Sequence, residues 1–106
     1  AAMLTQMNRR GQIKDCIIDG PFAFDNVVSK EACEYKGIVT DVGGDADIVL
    51  CPELETGNTL YKTLTYMAGG TAASVLLGAK VPVVLNSRTD SDRSKLMSLA
   101  LAASLE

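Results

Sequence analysis

The densest run of chemically able side chains is Ser87-Arg88-Thr89-Asp90-Ser91-Asp92. Arg88 carries a planar fork of donors that fits a phosphate or a carboxylate. Ser87, Ser91 and the free amides at the start of a following helix add donors to an anion. Asp90 and Asp92 are placed to orient the guanidinium or to accept a proton. Two further polar clusters are Asp19-Gly20-Pro21 and the stretch from Pro52-Glu53 through Asn58. In the latter, Gly57 permits close backbone approach. Lys62 follows Asn58 four residues on. A plainer account covers the same residues. Arg88 and Asp92 also suit an exposed i, i+4 ion pair on a capped helix, which contributes only about 0.2–0.5 kcal/mol. Gly57-Asn58 also suits a helix start, and Lys62 a solvated cation.

Each cluster follows a segment that reads as a strand. Residues 13–18, Ile-Lys-Asp-Cys-Ile-Ile, read as the first strand, residues 48–51 are an apolar run, and residues 73–77 and 81–85 are apolar with β-branched content. Ile48, Val49, Leu50 and Cys51 form an unbroken apolar run, as expected of a strand covered on both faces. Pro52 cannot donate to a ladder and should end it. Thr56 is a candidate cap for a helix over residues 57–68, with Leu60, Leu64 and Met67 at helical spacing. Gly69-Gly70 should stop that helix. Residues 22–28 read as a packed loop. Ser29 should cap a short helix over residues 30–36, closed by Gly37. Asp90 or Ser91 should cap a last helix whose apolar face is Leu96, Leu99, Ala100 and Ala103. Residues 1–10 read as the tail of a helix stopped by Gly11, and Leu105-Glu106 as a vector scar. Strands alternating with helices predict an α/β protein with a largely parallel sheet. In such folds ligands bind at the carboxyl ends of the strands, where the three clusters would converge.

The totals narrow the function. With 106 residues the chain suits one domain. A globule of this size buries roughly 60–70% of its unfolded surface. The sequence is 47% hydrophobic and 22% charged, with a net charge of −3 and no basic run. That balance argues against nucleic acid or an anionic membrane as the main partner. No apolar stretch approaches the ~18 residues of a membrane span, and no signal-peptide pattern stands in the sequence. Cys16, Cys33 and Cys51 are expected to be small core residues in a reducing cytoplasm, two of them within strands. Without His or a Cys-x-x-Cys pair, no metal site is expected. The commonest general base is also missing.

Four blocks stand in a telling order. They are Asp19-Gly20-Pro21 with Asp25-Asn26, Gly44-Asp45-Ala46-Asp47-Ile48, Pro52-Glu53 with Glu55, Gly57-Asn58 and Lys62, and Ser87-Arg88 with Asp90-Ser91. Together they resemble the phosphate acetyl/butyryltransferase family, most nearly its butyryltransferase branch. The resemblance runs from about Gly11 to Ala103 and corresponds to the C-terminal third or so of that family's chain, so a fragment of a longer protein is expected.

The resemblance implies reversible acyl transfer: butyryl-CoA and phosphate give butyryl phosphate and coenzyme A. Coenzyme A enters as a substrate, with no covalently bound cofactor. It implies a three-layer α/β/α fold like that of isocitrate and isopropylmalate dehydrogenases, two domains with a cleft between them, a cytoplasmic homodimer and a place in fatty acid metabolism. Residues 1–86 would belong to one domain and the helix of residues 87–106 to the other. It places Ser87 and Arg88 at the active site. Asp90 and Asp92 join them as candidate catalytic carboxylates, and Gly57, Asn58, Lys62 and Ser91 as candidate phosphate or coenzyme A contacts. The acetyl branch carries an aspartate where Ser94 stands here, which leaves Asp90 or Asp92 as the base. The family's other phosphate-binding arginines would lie upstream. Two other readings are a non-catalytic α/β module that binds acyl-CoA or supports an interface, and a decarboxylating dehydrogenase of the same fold. The latter would require acidic metal ligands and a nicotinamide site that the sequence does not display.

Overall fold

The computed structural model describes residues 1–105. Its helices are α1 (Ala2–Arg9), α2 (Phe24–Val28), α3 (Lys30–Tyr35), α4 (Leu54–Lys62) and α5 (Asp92–Ala103), with α4 continued by a π-helical stretch, Thr63–Met67. The chain divides into two compact units, Ala1–Leu54 and Glu55–Glu106. No helix among the described residues is long and apolar enough to cross a membrane.

The expected α/β/α architecture with a mostly parallel sheet is not found. Among the described residues there is no strand, and Leu76 and Val83 make one isolated antiparallel bridge. The apolar runs expected as buried strands are largely in solvent. Ile48 is 86% exposed, Leu50 75% and Leu85 76%. The physical reason is that a strand is not a local structure. Its amides need a neighbouring strand about 4.8 Å away, and apolar content does not supply one. Cys16 is accordingly exposed and Cys51 half-buried, while Cys33 is buried within α3.

The first unit is held by polar side chains that close loops onto helices. Asn8 near the end of α1 donates from Nδ2 to the carbonyls of Ile13 (3.0 Å) and Cys16 (2.9 Å). Its Oδ1 accepts from the amide of Ile18 at 3.1 Å. One amide side chain thus fixes residues 13–18 without a ladder. Residues 24–28, expected within a packed loop, form the short helix α2. Ser29 caps α3 as expected, its Oγ accepting from the amide of Ala32 at 3.1 Å. Gly37, at φ 67°, closes it, with the Ile38 amide reaching back to the Cys33 carbonyl at 2.9 Å. Asn26 is buried between these elements, and its carbonyl accepts from Gly44 N (3.0 Å) and Cys33 Sγ (3.2 Å). A Cβ at Gly43 would stand 2.6 Å from Cys33 Sγ, so only glycine fits there.

Helix α4, in the second unit from Glu55 onward, starts at Leu54, three residues ahead of the expected Gly57, and Thr56 lies in its first turn. Ser91 caps α5 as expected, accepting from the amide of Ser94 at 3.1 Å. The buried side of α5 is not the apolar stripe. Ser94, Ser98 and Ala102 are buried, while Leu96 and Leu99 are about 60% exposed (60% and 59%). Small residues at i, i+4 and i+8 let backbone come close, and the Ser98 hydroxyl uses that proximity. Its Oγ donates to the Ser94 carbonyl at 2.8 Å. It also accepts from the Ser74 amide at 2.9 Å and from Asn86 Nδ2 at 2.9 Å. Ser74 Oγ in turn donates to the Leu85 carbonyl at 3.1 Å. A fully buried hydroxyl thereby ties α5 to the extended segments before and after the Leu76–Val83 bridge. Replacing Ser98 by Ala strands two donors, which should destabilise the chain by about 1–3 kcal/mol. Leu99→Ser, on the exposed face, should change stability by less than about 0.5 kcal/mol. Urea unfolding of the two variants distinguishes them, and the reverse order of effects would contradict the orientation of α5.

Candidate functional site

Tyr61 and Lys62 close helix α4, and the turn after them is π-helical, with the Ala68 amide bonded five residues back to Thr63 at 3.1 Å. Thr65 contributes to that irregularity. Its hydroxyl donates to the carbonyls of Tyr61 (2.9 Å) and Lys62 (3.3 Å), competing with the backbone for them. A wider turn brings side chains at i and i+5 towards one side. Tyr61 and Tyr66 therefore both face Lys62. Its Nζ lies 5.1 Å from the Tyr61 ring centre and 5.3 Å from that of Tyr66. Two aromatic faces at this range favour the ammonium.

The loop between the last extended segment and α5 meets this cation. Lys62 Nζ donates to Ser87 Oγ at 3.3 Å. Ser87 Oγ also shares a hydrogen with Thr89 Oγ1 across 3.2 Å. The amide of Ser87 donates to Asp90 Oδ2 at 2.8 Å, and the phenol of Tyr61 donates to Asp90 Oδ1 at 2.7 Å. Tyr66 adds a longer bond from its hydroxyl to the Thr89 carbonyl at 3.4 Å. The Asp90 carboxylate therefore bridges α4 and the loop, with both oxygens engaged.

The electrostatics follow from these contacts. The Tyr61 hydrogen bond is the largest influence lowering the Asp90 pKa from its ordinary 3.8, partial burial opposes it, and the Ser87 amide, Asn86 and Lys62 lower it further. The same bond raises the Tyr61 phenol above its ordinary 10.0, aided by burial. The pair is thus a neutral phenol donating to an ionised carboxylate.

Of the residues singled out from the sequence, Lys62, Ser87 and Asp90 come together here. Arg88 is exposed and makes no hydrogen bond or ion pair among the described residues. Asp92 is exposed and pairs with Lys95 at 3.4 Å rather than with Arg88. Ser91 is occupied with capping α5. Gly57 lies inside α4, not at its start. Asn58 lines an open depression with Thr59, Lys62, Thr63, Tyr66 and Met67. Tyr61 and Tyr66 were missed. Their i, i+5 spacing puts them on different sides of a regular helix, so only the π turn reveals them. No cluster of three or more Cys, Asp or Glu among the described residues could hold a metal ion.

The model of the family described as "Phosphate acetyl/butaryl transferase" matches residues 1–103. The chain belongs to the phosphate acetyl/butyryltransferase family. A phosphate acetyltransferase of Thermotoga maritima is 57% identical over 97% of the chain and 35% of its own length. A phosphate butyryltransferase of Clostridium acetobutylicum is 52% identical over 97% of the chain and 34% of its own. A probable phosphate butyryltransferase of Bacillus subtilis is 56% identical over 96% of the chain. The chain thus spans about a third of the length of these relatives, and acetyl and butyryl names stand at similar identity. A branched-chain phosphotransacylase from Enterococcus faecalis V583 superposes with a TM-score of 0.77 at 36% identity, over 95% of this chain and 37% of that one.

The Asp90 arrangement has a consequence for stability. Its folded pKa is lowered, so its contribution is fully present above the ordinary 3.8 and is lost as pH falls through the lower folded value. Acid unfolding of Asp90→Asn should accordingly show a flatter loss of stability below pH 3.8 than the unmodified chain. Identical slopes would contradict the bridge.

Proposed function

We propose that the chain is the part of a phosphate acyltransferase that handles the phosphate and carbonyl end of the reaction. The transfer moves a butyryl or other short acyl group between coenzyme A and phosphate. The observation that carries this reading is the meeting of Lys62 Nζ with Ser87 Oγ beside the exposed guanidinium-bearing Arg88, within the matched family segment. In one direction the thiolate sulfur attacks the acyl-phosphate carbonyl carbon. The carbon–sulfur bond forms, the bond from the carbonyl carbon to the phosphate oxygen breaks, and phosphate departs with that electron pair. Negative charge gathers first on the carbonyl oxygen and then on the phosphate. An ammonium, a guanidinium and a hydroxyl are the donors suited to both.

The thiol proton needs an acceptor. Asp90 already receives two hydrogen bonds and is held below its ordinary pKa, which makes it a poor one. Asp92, exposed and paired only with Lys95 among the described residues, is the better candidate. Ser91 and Asn58, with Gly57 behind it, would contact phosphate or coenzyme A from the rim. In the whole enzyme residues 1–86 would contribute to one domain and residues 87–106 to the other. The exposed Leu96 and Leu99 support assembly as a homodimer, and the setting would be the cytoplasm.

Arg88→Lys keeps the charge but loses the two-pronged fork. In the full-length enzyme it should lower transfer at least ~100-fold, the usual cost of one lost transition-state donor. Activity within about threefold of the parent would remove Arg88 from the role. The 106-residue chain alone should show no turnover in the same assay, and a measured turnover would contradict the reading of it as an incomplete site.

A further inference from the structure

We propose that Tyr61 is a positioning residue that acts through Asp90: it fixes the carboxylate that holds the Ser87 backbone, and so sets the Ser87 hydroxyl against Lys62. The inference rests on the acyltransferase reading for its chemistry, but its geometry stands separately. The path is continuous. The Tyr61 phenol donates to one oxygen of Asp90 at 2.7 Å, and the other oxygen accepts the Ser87 amide at 2.8 Å. Ser87 Oγ then meets Lys62 Nζ at 3.3 Å, and Lys62 is the residue next to Tyr61 in the same helix. The ring of contacts closes on itself. A phenol–carboxylate bond of this length is charge-assisted and among the stronger hydrogen bonds available.

The alternative use of Asp90 is proton transfer. Charged and titratable groups facing it are Lys62 and Tyr61, with Tyr66 beside them. Lys62 and the Tyr61 donor both favour its ionised form. An aspartate so held stays charged through the assay range and keeps its two bonds. Its function is then to hold shape. Tyr61 stays protonated over the same range because its pKa is raised, so it never ceases to donate.

Steady-state kinetics of the full-length enzyme test this. Tyr61→Phe and Asp90→Asn should each lower kcat about 10- to 100-fold, as loss of an orienting partner does at metal sites. The double variant should fall no further than the weaker single variant, since both act on one path. The shape of the pH–rate profile should be unchanged in all three. Additive losses, or an acidic limb abolished by Asp90→Asn alone, would overturn the positioning role. A carboxyl-carbon NMR titration of the 106-residue chain reads the same bond without turnover. The Asp90 midpoint should move upward in Tyr61→Phe, and an unmoved midpoint would also overturn the proposal. If the parent enzyme transfers no acyl group while the midpoint moves, the functional reading fails and the Tyr61–Asp90 link stands.

Discussion

An extended backbone must find partners for its amides and carbonyls, and this chain meets that constraint with side chains rather than with a sheet. Ser98 and Asn8 take the place of ladders. Each lies on a helix: Asn8 makes three hydrogen bonds to the extended backbone of residues 13–18, and Ser98 accepts from the Ser74 amide and the Asn86 side chain. Ser98 does so from complete burial, where an unmet donor or acceptor is most costly. The long apolar runs contribute little to the interior. What keeps residues 72–86 in place is a hydroxyl, an amide and one antiparallel bridge.

That placement is what builds the site. Asn86, held by Ser98, immediately precedes Ser87. The Ser87 amide is held in turn by Asp90, and Asp90 by Tyr61. The loop is thus anchored at one end on α5 and at the other on α4. Lys62 enters between two tyrosine rings, which hold its ammonium beside Ser87.

Part of the candidate cluster was legible in the sequence, since Lys62, Ser87 and Asp90 come together in the structure. Lys62, Ser87 and Asp90 stood out by type and order, and the family was recognisable from four short blocks. Ser29 and Ser91 were readable as caps because capping is a contact within one turn. The sheet was misread for the opposite reason. Alternation and apolar content report what a segment would bury, not whether a neighbour exists for it, and Ile48 and Leu50 remain in solvent. The orientation of α5 was misread too. Leu96 and Leu99 look like a core face, yet Ser98 points inward because two extended segments need its oxygen. Tyr61 and Tyr66 escaped notice because regular helical spacing separates them, and the π turn that reunites them leaves no mark in composition.

Lys62, Ser87 and Arg88 are proposed to form one anion-receiving site. A crystal structure of the full-length enzyme soaked in phosphate tests it most directly. A phosphate is expected within hydrogen-bond distance, about 2.7–3.2 Å, of both Lys62 Nζ and Ser87 Oγ, with the Arg88 guanidinium folded onto it. Phosphate ordered elsewhere in the enzyme, with Lys62 and Ser87 still bonded only to each other, would contradict it.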